Sequence, residues 1–249
     1  MKAPAGPQNR LLSALSPRAF ANLASELELM ELPAGHILYE PNTEIDFVYF
    51  PVTAVASMIR RMADGAVVEV GTIGREGVVG GSVALGAVTT PTQCLIQVAG
   101  DAQRIPAAVL RALIAEPCDD DGSPSLFELL LLYAQALFEQ AAQTAACNRL
   151  HALETRCARW LLMIHDRVDG DEVRLTQEFL SYMLGVRRAG VTEACGTLMR
   201  AGLIRYHHGR ITVSDREGLE AAACECFKIT TAAYDDLLRQ AVGGSVGGV

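Results

Sequence analysis

The residues of this chain best suited to recognisable chemistry are arginines. Between Arg187 and Arg210 there are five, at 187, 188, 200, 205 and 210, against a single acid, Glu193. A guanidinium presents five N–H donors in a planar fork and keeps its charge, so this cluster fits anionic oxygens and the acceptor edge of guanine. The chemistry it suggests is recognition of double-stranded DNA, by charge at the phosphates and hydrogen bonding in a groove. Arg187 and Arg188 are adjacent, with Ala189 after them and Thr192 one helical turn further on.

The elements that must position these side chains can be read around them. Leu175 to Val213 runs LTQEFLSYMLGVRRAGVTEACGTLMRAGLIRYHHGRITV. Thr176 predicts a helix start, because its hydroxyl can accept from a free backbone N–H; Leu180, Met183 and Leu184 then share one face. Gly185 ends that helix by supplying a left-handed backbone, and Val186 fills the turn. A second helix from Arg187 to about Arg200 buries Val191, Cys195 and Leu198 and turns Ala189, Thr192, Glu193, Gly196 and Arg200 outward. That outward face is polar and mostly small, so the helix can approach the floor of a major groove while Arg187 and Arg188 reach phosphate or guanine. Gly202 closes the helix, and Leu203 to Val213 makes a hairpin around His208 and Gly209. Two helices about a tight turn, then a hairpin, is the pattern of a winged helix-turn-helix.

The chain has 249 residues, half of them hydrophobic, enough for one large domain or two ordinary ones with real cores. Its net charge of −8 excludes a protein coated all over with positive charge and leaves the local arginine cluster as the telling asymmetry. No apolar run approaches the roughly 20 residues that span a bilayer, the N-terminus has no signal-peptide pattern, and no membrane partner is expected. Seven cysteines, at 94, 118, 147, 157, 195, 224 and 226, are odd in number and scattered, which fits a reducing cytoplasm better than a disulfide framework.

Four segments follow from composition and periodicity. Residues 1–9, rich in Pro, Gly and Ala, are expected to be disordered. Residues 10–123 open with helical periodicity over Arg10 to Leu27. Short β-rich runs to about residue 106 follow, bounded by turn residues, the signature of an antiparallel sandwich or barrel. Ala63-Asp64-Gly65 predicts a hairpin between Ala56–Met62 and Val67–Thr72, and Pro33-Ala34-Gly35 a second turn. A helix over Ala107 to Ile114 leads to an acidic loop, Glu116 to Ser123. Residues 124–147 read as one long helix with Pro124 in its first turn. There Phe127, Leu130, Ala134, Leu137, Ala141 and Thr144 form a seam of coiled-coil spacing, with Leu129, Leu132, Tyr133 and Phe138 beside it against the β-domain. The seam predicts a homodimer; a single amphipathic helix on its own domain is the other reading. Residues 148–249 hold a helix over Leu150 to Asp166, with Leu153, Cys157, Trp160, Leu161 and Ile164 inward, then the winged module, then a helical run over Glu217 to Leu238. Asn148 is suited to cap the first of these and end the long helix. The fold class is therefore α+β.

A β-sandwich or jelly roll, a long dimerising helix and a winged helix, in that order, resemble the Crp/Fnr family of bacterial transcription regulators. EIDFVYFP (Glu44 to Pro51), GREGVVG (Gly74 to Gly80) and the stretch Leu175 to Ile204 carry the resemblance, which covers nearly the whole chain. It implies a cyclic-nucleotide-binding-like β-domain and a homodimer on a near-palindromic operator, one reading helix per major groove and half-sites about one DNA turn apart. It also implies contact with RNA polymerase if the protein activates. On that match Thr176 and Gln177 meet phosphate, and Arg188, Ala189 and Thr192 take the base-reading positions. The family commonly has arginine followed by glutamate there; Ala189 offers only apolar contact to a thymine methyl, so the operator should differ at that base pair.

A second departure concerns the input. Cyclic-nucleotide-binding members hold the phosphate with a Gly-Glu pair and, about ten residues on, an Arg-Ser/Thr pair. Here the corresponding stretches are Gly80-Gly81-Ser82 and Thr89-Thr90-Pro91-Thr92, without the glutamate or the arginine. Burying a phosphate with no counter-charge is costly, which argues against cyclic AMP in the usual mode and leaves another small ligand, or none, as effector. Gly74, Arg75, Gly80, Gly81, Ser82 and Thr92 are the candidate pocket residues. Gly77, Gly80 and Gly81 could form an anion-binding nest near Arg75, or simply let a strand turn.

No cysteine precedes Cys94, so the N-terminal cysteine group of iron-sulfur relatives is missing. Cys224 and Cys226 fall in the predicted helical run, where residues two apart diverge by about 200°, so structural thiols are expected and no metal or other cofactor. His207 and His208 at a hairpin tip face phosphate or water. With no GxSxG, HExxH or phosphate-binding loop, and His36, His151 and His165 scattered, no catalytic residue is assigned and an enzyme is not expected. The alternative to a regulator is a ligand-sensing or protein-interaction module of this fold with weak DNA specificity. In the regulator reading, a β-domain signal passes along the long helix to a hinge near Cys147 to Leu150.

Overall fold

The computed structural model describes residues 8–115 and 123–242. Residues 1–7, most of the expected disordered N-terminus, and 116–122, most of the acidic loop with Cys118, lie outside them. The predicted N-terminal helicity divides into a 3-10 turn, Leu12–Ala14, and α1 (Pro17–Ala24). Ser16 starts α1 by accepting from the Ala19 N–H, with Pro17 at the first helical position.

The β-domain follows as β1 (Glu28–Leu32), β2 (Ile37–Tyr39), β3 (Phe47–Pro51), β4 (Val55–Arg61), β5 (Val67–Ile73), β6 (Gln93–Val98) and β7 (Gly100–Pro106). One antiparallel sheet has the order β1-β7-β3 and the other β2-β6-β4-β5. Leu32, Val48, Phe50, Ile73, Ile96 and Ile105 are buried in one core drawn from both sheets. Both predicted turns are present: Gly65 and Gly35 adopt φ of +85° and +84°, a conformation that costs glycine little. α2 (Ala107–Ile114) has the predicted bounds.

α3 (Leu126–Leu150) begins with a capping box. The Glu128 N–H donates to Ser125 Oγ at 3.1 Å, and the Ser125 N–H donates to Glu128 Oε2 at 2.8 Å. Pro124 therefore precedes the cap and is not in the first turn. The helix also runs past Cys147 to Leu150, so Asn148 lies inside it. The chain breaks instead at His151 and Ala152, both extended, and α4 (Leu153–His165) starts without a side-chain cap.

After α4 come β8 (Glu172–Arg174), α5 (Gln177–Leu184), α6 (Arg188–Arg200), β9 (Ile204–His207), β10 (Arg210–Val213), α7 (Arg216–Ala222) and α8 (Cys226–Val242). Trp160, Leu161, Ile164, Leu180, Val191 and Leu198 build the second core. The continuous helix expected over Glu217 to Leu238 is interrupted at residues 223–225, where Ala223 is extended. Neither Gly nor Pro marks that break in the sequence. α8 then returns along α3, where Tyr234 Oη donates to Gln140 Oε1 at 3.2 Å and Tyr234 and Leu237 join the first core.

The two cores are docked through buried charge. Arg167, just past α4, holds Glu76 with Nη2 and Nε at 2.7 and 2.9 Å from Oε1, and the two side chains are 8% and 7% exposed. Arg167 Nη1 also donates to the Met163 carbonyl at 2.6 Å, and the Gly74 N–H to Glu76 at 3.1 Å. Trp160 Nε1 donates to Glu69 Oε2 at 2.7 Å from across the interface. Ser57 Oγ lies 2.6 Å from Glu69 Oε1 and 2.5 Å from Gln97 Oε1. One hydroxyl proton cannot serve both oxygens; with the Gln97 amide turned, its Nε2, which otherwise has no partner, donates to Ser57 and leaves the Ser57 hydroxyl to donate to Glu69.

Burial lifts the Glu69 carboxyl above the ordinary glutamate range, against the pull of hydrogen bonds from Ser57 and Trp160. The folded state thus holds this proton more tightly than the unfolded chain. The carboxyl favours folding below the ordinary value of 4.5 and loses that contribution as pH rises through its elevated value. Glu69→Gln should accordingly gain thermal stability relative to the parent chain as pH rises from 4.5 through the elevated value, whereas a difference that stays constant over that range would refute the assignment. Glu76→Ala leaves Arg167 buried without its partner and should cost about 3–5 kcal/mol in chemical denaturation. A loss below about 1 kcal/mol would place the pair with exposed bridges instead.

Candidate nucleic-acid interface and effector cavity

The module predicted around the arginines is present in detail. Thr176 Oγ1 accepts from the Phe179 N–H at 3.1 Å and starts α5. Gly185 ends it at φ +63° and ψ +40°. Gly202 follows α6 at φ +76°, with the Leu203 N–H returning to the Leu198 carbonyl at 3.0 Å. α6 buries Val191, Ala194, Cys195 and Leu198 and leaves Arg187, Arg188, Ala189, Thr192 and Arg200 exposed. β10 pairs with both β8 and β9, and His208 and Gly209, at φ +46° and +74°, make the two-residue tip. Tyr206 Oη donates to the Leu175 carbonyl at 3.2 Å, tying the wing to the entry of α5.

One contact unites residues the sequence scatters. Gln177 Oε1 accepts from Thr192 Oγ1 at 3.2 Å and from Arg188 Nε at 3.4 Å. The Arg188 guanidinium is thereby aimed from the first turn of α6 with its terminal N–H groups free of an ion pair among the described residues. Arg187 sits at the N-cap of α6. Arg200 lies roughly 18 Å further along the helix axis and donates to Thr197 Oγ1 at 3.0 Å, so the two ends serve different contacts. Arg210, in the wing, pairs with Glu172 at 2.9 Å and both are half exposed. That bridge partly neutralises a charge that sequence reading counted as free.

The expected effector residues divide. Gly80, Gly81 and Ser82 line a cavity of about 270 Å³ together with Met58, Tyr133 and Leu137. Thr90 lines it in place of Thr92, which is buried beside it. Gly74 and Arg75 do not belong to it. A Cβ on Gly74 would come within 2.7 Å of Arg167 Cγ, and Arg75 is drawn 3.3 Å from Asp169 towards the C-terminal domain. Among the described residues no charged side chain lines the cavity, and Arg75 is not one of its walls.

The residues of the expected dimer seam divide between the interior and the surface of the single chain. Leu130 is 1% exposed within its own chain, and Leu137 packs on the first core. Thr144 is half buried near Arg159, whose Nη1 donates to it at 3.4 Å. Phe138, expected against the β-domain, is 66% exposed. The outward stripe is Phe127, Leu131, Ala134, Phe138 and Ala141, which keeps heptad spacing with Phe127, Ala134 and Ala141 from the expected set. Because α3 is apolar on both flanks of the exposed stripe Glu128, Gln135 and Glu139, periodicity alone could not choose between the two faces.

Residues 155–222 match the model of the Crp-like helix-turn-helix domain. No curated protein matches the chain in sequence. Among solved structures, FixK2 from Bradyrhizobium japonicum is 13% identical with a TM-score of 0.64, covering 80% of this chain and 98% of that one. A transcriptional regulator of the Crp/Fnr family from Thermus thermophilus is 19% identical with a TM-score of 0.61, covering 79% and 98%. The c-di-GMP responsive global regulator CLP of Xanthomonas campestris is 13% identical with a TM-score of 0.61, covering 80% and 99%. Among the described residues no helix is long and apolar enough to cross a membrane.

Proposed function

Starting from a Crp-like helix-turn-helix domain carried on the fold of the Crp/Fnr regulators, we propose that this chain is a sequence-specific DNA-binding transcription regulator acting as a homodimer. The observation that carries the reading is the exposed Gln177–Arg188–Thr192 cluster at the start of α6. With α6 in the major groove, Arg188 offers two donors to guanine O6 and N7, Ala189 packs on a thymine methyl, and Thr192 adds a short polar contact. In this reading Thr176, Gln177, Arg187 and Arg210 are the phosphate partners, and Arg200 would meet the backbone at the far end of the helix.

Two copies meeting along Phe127, Leu131, Ala134 and Phe138 would present paired reading helices to a near-palindromic operator, with half-sites about 34 Å apart. The cavity suits an uncharged, largely apolar effector. CLP is a c-di-GMP responsive protein, but a phosphate in this cavity would meet no cationic side chain, so that ligand is not carried over. The cavity's walls belong to β-strands and to α3, so filling it would bias the helix that leads to the DNA-binding module.

Leu131→Glu with Phe138→Glu should give monomers in sedimentation while leaving the fold intact, because both side chains are exposed in the single chain. A dimer that persists would move the interface elsewhere. Arg188→Ala should weaken binding to the chain's own promoter region by about 1–3 kcal/mol, roughly tenfold to a hundredfold, with little change on random DNA. Equal losses on both would make Arg188 a phosphate contact. Affinity insensitive to salt and to sequence would instead favour a ligand-sensing module without DNA specificity.

A further inference from the structure

The helix break at residues 223–225 brings together side chains that sequence spacing kept apart. Cys224 and Cys226, on either side of Glu225, turn towards Cys147 in the last turns of α3 and His151 at its C-cap. The three sulfurs and a ring nitrogen of His151 all lie within 4.8 Å of one another. Cys147 Sγ is 3.5 Å from Cys224 Sγ, and Cys226 Sγ is 3.4 Å from His151 Nδ1. We propose that Cys147, His151, Cys224 and Cys226 form a mononuclear, zinc-type metal site that fastens the C-terminal segment to the hinge of the long helix.

Two of the separations already match the edges of such a site, and the others lie within 4.8 Å. A tetrahedron with metal–sulfur bonds of about 2.3 Å and a metal–nitrogen bond of about 2.0 Å has edges of about 3.5–3.8 Å. An iron-sulfur cluster interposes its own irons and sulfides and would hold the four ligands further apart. Three thiols and an imidazole are soft and borderline donors, the set that tetrahedral structural zinc takes and that calcium or magnesium do not.

The surroundings match as well. Glu225 Oε1 lies 3.3 Å from His151 Nε2, which leaves Nδ1 to point its lone pair at the sulfurs, the carboxylate–histidine arrangement common behind metal-bound imidazole. Gln143 Nε2 donates to Cys226 Sγ at 3.0 Å. Burial disfavours a thiolate at Cys147 and the charge of Arg159 favours it. Arg159 is itself buried and has no carboxylate partner among the described residues. Three thiolates on a divalent ion carry one net negative charge, which would answer that guanidinium, with the three thiol protons released to solvent on binding.

Ordinary buried cysteines behave differently in this same molecule. Cys94 sits in the first core beside Tyr39, and Cys157 and Cys195 lie against each other in the second. Cys147, Cys224 and Cys226 form a buried group of their own, outside both. A small hydrophobe gains nothing from that segregation, and a helix interrupted without Gly or Pro needs a tertiary cause. Metal ligation supplies one.

The test uses the full chain, reduced, stripped with chelator and reloaded. Zinc should bind at one equivalent per chain, and cobalt in its place should give the intense visible bands and thiolate charge transfer of tetrahedral sulfur ligation. Cys224→Ser with Cys226→Ser should abolish both signals, while Cys195→Ala keeps them. Glu225→Gln, at an exposed position, should lower zinc affinity tenfold to a hundredfold without loss of fold. Failure of the reduced chain to take up metal, a pale octahedral cobalt spectrum, or full uptake by the double serine variant would each overturn the proposal. So would a Cys147–Cys224 disulfide in place of metal. Because metal uptake is read without DNA, this result and the DNA-binding result stand or fall separately.

Discussion

Two carboxylates buried where the β-domain meets the C-terminal domain constrain everything beyond them. A buried charge without a partner, or a buried carboxyl without hydrogen bonds, is costly in such a place, so Glu76 must face Arg167 and Glu69 must face Trp160 and Ser57. These partners come from α4 and the turn after it, which fixes how the second core sits on the sheet of β4 and β5. That placement sets Gly185 against Val68 and Met183 against Ser57, and so decides which side of α5 and α6 stays in solvent. The outer face of α6 is exposed because its inner face, Val191, Ala194, Cys195 and Leu198, is committed to the second core.

Local signals were fully legible where chemistry and backbone agreed. Thr176, Gly185 and Gly202 punctuate the winged module in sequence as in structure, and Val191, Cys195 and Leu198 occupy the inner face of α6 as their spacing requires. The hairpin at Gly65 and the bounds of α2 were equally plain. Each of these rests on contacts within a few residues. The docking through Glu76 and Arg167, 91 residues apart, was invisible, since nothing near either side chain announces its partner.

Two misreadings share one physical origin, the neighbour that a helix meets. α3 is apolar on both sides of its exposed polar stripe, Glu128, Gln135 and Glu139, and it is covered by the β-domain on one flank and by α8 on another. Period alone therefore put Leu130 on the outer face and Phe138 on the inner one. The run Glu217 to Leu238 is helical by propensity throughout, yet the chain leaves the helix at Ala223 to bring Cys224 and Cys226 to the end of α3. In the sequence alone these two thiols point apart; the break makes them converge with ligands more than seventy residues away.

Ala134 and Phe138 belong at once to the wall of the cavity and to the outward stripe of α3. If two copies meet along that stripe, each one's cavity is completed by the association itself. A ligand that prefers the completed chamber then acts as a glue between subunits, and the same preference, read in reverse, makes association raise affinity for the ligand. Sensitivity to the effector would rise and fall with the abundance of the protein in the cell, so the dose that triggers a response would be set partly by how strongly its own gene is expressed.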